Sequence, residues 1–122
     1  MRQVKLPFGG RCLCGAVQYR VTEPPIMFYA CHCTDCQKRS GSAFNLSMWV
    51  KRASIEVAQG EPARVELQST LDDTKQSEPV GHIWVRSAQP WVKIPKDEWS
   101  FETQPENFAV LAEAWRSRHP GS

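Results

Sequence analysis

The residues of this chain best suited to chemistry are its cysteines, which form two motifs within one short stretch. Cys12-Leu13-Cys14 and Cys31-His32-Cys33-Thr34-Asp35-Cys36 hold all five cysteines of the 122-residue sequence. Two cysteines spaced as C-x-C project from the same face of an extended strand, and a C-x-x-C turn gathers its two sulfurs around one centre. The spacing therefore indicates that both motifs can bind a metal ion.

Zinc is the metal that this set of ligands favours. Thiolate-rich sites select soft or borderline metals, and an iron–sulfur cluster would normally require four cysteines arranged to hold it. Two other interpretations remain open. A disulfide framework would leave one of the five thiols over, and a C-x-C disulfide closes a strained ring. Buried structural cysteines without a metal would have to fall by chance into two tight motifs.

Length, composition and charge are those of a small domain in a reducing compartment. With 122 residues, 41% of them hydrophobic, the chain can bury roughly two-thirds of its unfolded surface, so we expect residues 1–122 to form a single domain. No apolar segment has the length of a signal peptide or a membrane span, which predicts a cytoplasmic protein. The net charge of +2 is spread along the chain, so nothing indicates nucleic-acid binding.

Alternating apolar and polar residues predict a mainly β fold. Strands are expected at Val17–Val21, Ile26–Ala30, Ala43–Val50, Ile55–Val57 and Val65–Leu67, with the last two forming a hairpin. Residues 68–80 are polar and predict a loop. Two helical segments are also predicted: a short turn over Thr34–Ser40 closed by Gly41, and a C-terminal amphipathic helix entered through Pro105. The residues of its apolar face are Phe108, Leu111, Ala112 and Trp115.

Both cysteine motifs resemble those of the glutathione-dependent formaldehyde-activating enzyme family, which also includes the centromere protein V group. Gly10–Val17 and Cys31–Phe44 carry this resemblance. Leu71-Asp72-Asp73, His82–Val85 and Pro90-Trp91 are similar to the C-terminal signature of the family. The resemblance implies a zinc-binding β-tent, two zinc sites, and carbon–sulfur lyase chemistry on a glutathione adduct such as S-hydroxymethylglutathione.

The resemblance gives the two motifs different roles. Cys12 and Cys14 match the first half of a structural zinc site, whose other half is a later C-x-x-C-G in the family. Cys31, Cys33 and Cys36 match the three-thiolate catalytic site, in which the fourth position takes water or the substrate sulfur. This sequence has no later C-x-x-C. We interpret its absence as an internal deletion that removes half of the first site.

The incomplete first site leaves several possibilities for its two thiolates. A structural zinc ion needs four ligands, so Cys12 and Cys14 must recruit another ligand such as His82, share a metal with the second motif, or remain metal-free. About one tightly held zinc ion per chain is therefore expected in place of two.

Binding of a glutathione adduct would require positive and aromatic groups near the metal. Lys38 and Arg39 follow Cys36 directly and could pair with the carboxylates of glutathione. Trp49 is the aromatic candidate. His32 lies between two ligands and points away from the metal, where it would contact the substrate or orient a ligand.

Two functions from different classes are consistent with these residues. The first is a zinc-dependent carbon–sulfur lyase acting on a glutathione adduct, which the family resemblance favours. The alternative is a non-catalytic, zinc-stabilised β-tent module that binds a protein partner, which the missing C-x-x-C favours. Three thiolates also reduce the Lewis acidity of the ion, and the motif offers no general base beyond Asp35 and His32.

Overall fold

The computed structural model describes residues 5–60, 71–73 and 78–119, and its fold is mainly β. No helix in these ranges is long and apolar enough to cross a membrane. The strands are β1 Phe8–Arg11, β2 Gln18–Val21, β3 Met27–Cys31, β4 Asn45–Trp49, β5 Ile55–Gln59, β6 Gly81–Ile83 and β7 Trp99–Ser100. The α-helices are α1 Thr34–Ser40 and α2 Ala109–Arg118, and short 3₁₀ helices cover Arg52–Ser54 and Val85–Ser87.

These strands form two sheets, with one cysteine motif associated with each sheet. The first is antiparallel, in the order β1-β2-β5, and the C-x-C motif follows its strand β1. The second has the order β4-β3-β6-β7, in which β3 is antiparallel to β4 and parallel to β6. Cys31 ends the interior strand β3 between Asn45 of β4 and Ile83 of β6. The first residue of the second motif is therefore fixed by strands on both sides.

The hydrophobic core is centred on β3 and is covered by α2. All five residues of β3 are buried. A strand that is covered on both faces carries a continuous apolar run instead of alternating apolar and polar residues. Phe28 of β3 meets Trp115 of α2 edge to face, with ring centroids 6.3 Å apart. Leu111 and Trp115 are themselves buried. This packing holds the strand that leads into the second cysteine motif.

The mainly β fold and the short C-terminal helix are confirmed, and so are the bounds of α1. Gly41 has φ +62° and its N–H donates to the Gln37 carbonyl, so it ends α1 in the left-handed conformation that glycine adopts most readily. The predicted proline entry to α2 is wrong. The helix begins at Ala109, whose N–H is capped by the Asn107 side chain at 2.8 Å.

Other departures involve elements with weak local patterns. β1 and β7 were not predicted, because β1 contains two adjacent glycines and β7 has only two residues. The Ile55–Val57 run is a strand, β5, and pairs with β2. Its expected partner Val65–Leu67, and most of the predicted loop at 68–80, lie outside the described residues.

Replacing Gly81 with alanine should destabilise the contact between β6 and α2. A Cβ atom at this buried position would overlap the Leu111 Cδ2 methyl and lie 3.1 Å from the Trp99 carbonyl oxygen. Leu111 is fully buried, so a shift of its side chain would disturb the residues packed around it, and we expect a loss of about 1–3 kcal/mol in the free energy of unfolding. Urea unfolding of Gly81→Ala measures this loss.

The fully exposed Leu13 provides the control for this substitution. Leu13→Ala should change the free energy of unfolding by less than about 0.5 kcal/mol. Equal stability of Gly81→Ala and the unsubstituted protein would contradict the described packing of α2 on β6.

Candidate metal centre

The second cysteine motif lies where β3 turns directly into α1. Cys31 ends the strand, Cys33 is the N-cap of the helix, and Cys36 lies in its first turn. The Cys36 N–H donates to the Cys33 sulfur at 3.4 Å, so one ligand sulfur also caps the helix. This strand-to-helix turn brings the three Sγ atoms within 4.8 Å of one another. Within the part of the chain that the structure describes, no other set of three His, Cys, Asp or Glu ligand atoms comes together in this way.

The three sulfurs fit a zinc ion in both chemistry and spacing. Zinc–sulfur bonds of about 2.3 Å in tetrahedral geometry place the sulfurs roughly 3.8 Å apart, so sulfurs within 4.8 Å need only small inward shifts. Cys31 is buried, whereas Cys33 and Cys36 are partly exposed. An ion held here would be enclosed on the strand side and reachable from the helix side.

The thiols of this cluster do not ionise readily together without a cation. Burial raises the pKa of Cys31. Burial, together with the neighbouring sulfurs, raises the pKa of Cys36 to about 12. Burial acts in the same direction on Cys33, but the hydrogen bonds it accepts, first from the Cys36 N–H, outweigh it and lower the pKa. A divalent cation would offset both burial and mutual repulsion.

A buried hydrogen-bonded chain lies beside the cluster and runs through three side chains. His32 is completely buried, and its Nε2 lies 3.0 Å from His82 Nδ1. His82 Nε2 in turn lies 2.5 Å from a carboxylate oxygen of Glu98. A carboxylate only accepts, so the His82 Nε2–H donates to Glu98, and in the neutral tautomer that this bond selects the His82 Nδ1 atom would accept from His32 Nε2. The chain fixes the ring, and hence the backbone, of the residue between Cys31 and Cys33.

His82, one possible additional ligand for the first motif, does not join Cys12 and Cys14 in this structure. Both of its ring nitrogens are engaged, one with His32 and one with Glu98. Its nitrogens form no close group with Cys12 and Cys14 among the described residues. The same observation gives no support for a metal shared between the two motifs.

The first motif lies in a tight turn, and the expectation that its cysteines project from an extended strand is wrong. The Gly15 N–H donates to the Cys12 carbonyl at 2.9 Å, and Gly15 has φ +77°. The Cys12 and Cys14 sulfurs are 3.1 Å apart. The Val17 N–H donates to the Cys12 sulfur at 3.2 Å and, together with the Cys14 thiol, lowers the pKa of Cys12 to about 7.

The predicted substrate-binding residues occupy different surroundings. His32 is buried in the hydrogen-bonded chain. Lys38 and Arg39 are exposed on α1, and Lys38 lines a surface cleft of about 710 Å³ together with Gln37 and Trp91. None of the cysteines lines that cleft, so the cleft is not the opening to the cysteine cluster.

Trp49 is connected to the cluster through a residue that the sequence analysis missed. Its Nε1–H donates to the Tyr29 hydroxyl at 3.1 Å, and its ring stacks on Phe108. Burial raises the pKa of Tyr29, and the Cys31 and Cys36 sulfurs raise it further against the hydrogen bond from Trp49. Tyr29 therefore keeps its proton beside the cluster. The sequence offered one signal for Tyr29. It lies two residues before Cys31, and residues two apart on a strand lie on the same face.

Gln37 and Glu98 were also missed. The Gln37 Nε2 group donates to the His32 carbonyl at 2.7 Å and to the Ser87 carbonyl at 2.9 Å, which ties α1 to the segment after β6. Its Oε1 accepts from Gln89 at 2.8 Å. Glu98 lies in a polar stretch with no motif, so no sequence signal marked it.

A known protein family matches the chain. The model of the family described as glutathione-dependent formaldehyde-activating enzyme matches residues 7–75, which is more than half of the chain and includes both cysteine motifs. No curated protein matches the sequence. The His82 and Glu98 positions lie beyond the matched residues.

Replacing Glu98 with glutamine should weaken zinc binding at a distance from the ligands. The substitution keeps the shape of the side chain but removes the carboxylate that orients His82. The glutamine amide oxygen can still accept from His82, but the bond is no longer charge-assisted, so we expect a decrease in zinc affinity of about tenfold, the lower end of the range for outer hydrogen bonds. Zinc competition with a chelator of known affinity measures it.

Glu102→Gln is the matched control, because Glu102 is exposed and lies on the same segment. It should leave the zinc affinity unchanged. If Glu98→Gln and Glu102→Gln bind zinc equally well, the hydrogen-bonded chain does not support the metal centre.

Proposed function

Because the chain belongs to the glutathione-dependent formaldehyde-activating enzyme family, we propose that it is a zinc-dependent carbon–sulfur lyase acting on a glutathione adduct such as S-hydroxymethylglutathione. Family membership supports a glutathione-related, formaldehyde-activating function. The observation that carries the finer proposal is the convergence of the Cys31, Cys33 and Cys36 sulfurs within 4.8 Å. Three protein ligands are the number found at catalytic zinc sites, whereas structural sites have four.

The reaction makes or breaks the bond between the glutathione sulfur and the formaldehyde carbon. In the breaking direction the bonding electrons pass to sulfur, the hydroxyl group loses its proton, and the carbonyl of formaldehyde forms. Zinc, when bound, supplies the Lewis acidity that favours the glutathione sulfur as a thiolate. The chain must therefore hold the ion, accommodate the adduct and handle one proton.

Groups around the cluster are suited to these tasks. Partial exposure of Cys33 and Cys36 gives a small molecule access to the helix side of the site. Tyr29 remains protonated beside the cluster, so its hydroxyl can donate a hydrogen bond to a developing negative charge. The buried chain from Glu98 through His82 to His32 preorganises the turn that presents the ligands.

We propose that the glutathione portion binds at the surface around α1 and β4. Lys38 and Arg39 carry positive charges on the exposed side of the helix, and they suit the two carboxylates of glutathione. Trp49 is about half exposed and is held by Tyr29 and Phe108, so its ring offers a fixed apolar wall. His32 acts from the interior, as a positioning residue.

The zinc-loaded protein should accelerate the interconversion of formaldehyde and S-hydroxymethylglutathione. Exchange between free and glutathione-bound formaldehyde, measured by NMR at equilibrium, reports the rate directly. We expect Cys33→Ser to reduce this rate to the uncatalysed level, because it removes a ligand from the centre of the motif. Cys14→Ser, which changes the first motif only, should retain the rate.

An inactive wild-type protein that still holds zinc would overturn the lyase proposal. The alternative of a non-catalytic, zinc-stabilised module that binds a protein partner would then be favoured. The family membership and the metal centre would both survive that result.

Metal analysis should find about one tightly bound zinc ion per chain. The double variant Cys12→Ser/Cys14→Ser should keep it, since no third ligand joins that pair among the described residues. Cys33→Ser should lose most of its zinc and unfold at a lower temperature, because metal-binding free energy contributes directly to folding in small metal-binding domains. Two zinc equivalents that survive dialysis against a moderate chelator would contradict this stoichiometry.

A further inference from the structure

The exposed pair of cysteines at the first motif is not used by the proposed lyase. Their sulfurs lie 3.1 Å apart, Cys14 is exposed and Cys12 is partly exposed. No third metal ligand joins them in the described part of the chain. The remaining cysteines of the sequence are the three that converge in the second motif.

Backbone and side-chain hydrogen bonds hold this turn in place. Cys12 exchanges two bonds with Val17: its N–H donates to the Val17 carbonyl at 3.1 Å, and its sulfur accepts the Val17 N–H at 3.2 Å. The side-chain amides of Gln18 and Gln59 both donate to the Gly15 carbonyl at 3.2 Å. Residues from β2 and β5 therefore brace the turn from the sheet, so the two sulfurs face each other in a preorganised arrangement.

We propose that Cys12 and Cys14 form a dithiol site that undergoes exchange with small-molecule disulfides of the glutathione disulfide class. A disulfide bond is about 2.05 Å long, so a local movement of roughly 1 Å would join the two sulfurs. This proposal is independent of the lyase reaction and of zinc at the second motif.

The exchange proceeds in two balanced steps. One thiolate of the pair attacks a sulfur of glutathione disulfide, which forms a mixed disulfide and releases one glutathione thiolate. The second cysteine then attacks the sulfur of the first cysteine, closes the Cys12–Cys14 disulfide and releases the second glutathione. The protein dithiol gives up two electrons, glutathione disulfide accepts them, and the two protons leave with the two glutathione molecules.

Features of the turn favour reversible exchange over a permanent cross-link. A C-x-C disulfide closes a strained ring, and strained or exposed disulfides are the labile ones. The hydrogen bond from Val17 stabilises the attacking form of Cys12. The Arg11 guanidinium lies beside Gly15, with one nitrogen 3.7 Å from the point where a Cβ atom would be attached. Its positive charge therefore flanks the turn and complements the carboxylates of glutathione.

Mass spectrometry can follow each motif separately, because trypsin places them on different peptides. Cleavage after arginine and lysine yields residues 12–20, with both cysteines of the turn, and residues 21–38, with all three of the metal centre. The zinc-loaded full chain is equilibrated with mixtures of glutathione and glutathione disulfide, and free thiols are then blocked before digestion. We expect the 12–20 peptide to convert to its internal disulfide as the proportion of glutathione disulfide rises, and to return to the dithiol when glutathione is added.

Cys14→Ser tests the second step. It leaves Cys12 without a resolving partner, so the mixed disulfide with glutathione should accumulate at least about tenfold above its level in the wild type. A 12–20 peptide that keeps both thiols free throughout would overturn the proposal. So would a peptide that carries glutathione on both cysteines without closing, or one that is protected by a second bound zinc ion.

Discussion

Three thiols lie close together at the end of one buried strand, and the organisation of the surrounding site follows from this arrangement. Cys31, Cys33 and Cys36 come within 4.8 Å because β3 passes directly into α1, and burial opposes the ionisation of the first and the third. Such a cluster is stable as three thiolates only when a cation balances the charge. A cation held by this cluster would therefore contribute to the stability of the fold as well as to chemistry.

The surrounding structure acts on this cluster from a distance. Parallel pairing of β3 with β6 places His82 level with Ala30, from where its ring reaches His32. Glu98, just before the edge strand β7, completes the chain. α2 packs on β3 through Trp115, so the core fixes the strand and the buried polar chain fixes the turn that follows it.

Features that depend on neighbouring residues could be predicted from the sequence, whereas contacts between strands far apart in the sequence could not. The cysteine spacing predicted that the three sulfurs of the second motif converge, and the polar run ending in Gly41 predicted α1, because ligand spacing and helix ends are determined within a few residues. The chain from His32 to Glu98 depends on strands far apart in sequence, so no local pattern revealed it. The first motif was misplaced on a strand because Gly15, with its positive φ, converts the segment into a turn.

X-ray absorption at the zinc edge of the metal-loaded protein counts the atoms bound to the ion and so shows whether the three thiols of the second motif hold it. We predict three sulfur neighbours at about 2.3 Å and one nitrogen or oxygen at about 2.0 Å per zinc. A first shell of four sulfurs would mean that a cysteine from the exposed turn, or from another chain, completes the site. An average of two sulfurs would contradict a zinc site formed by all three of Cys31, Cys33 and Cys36.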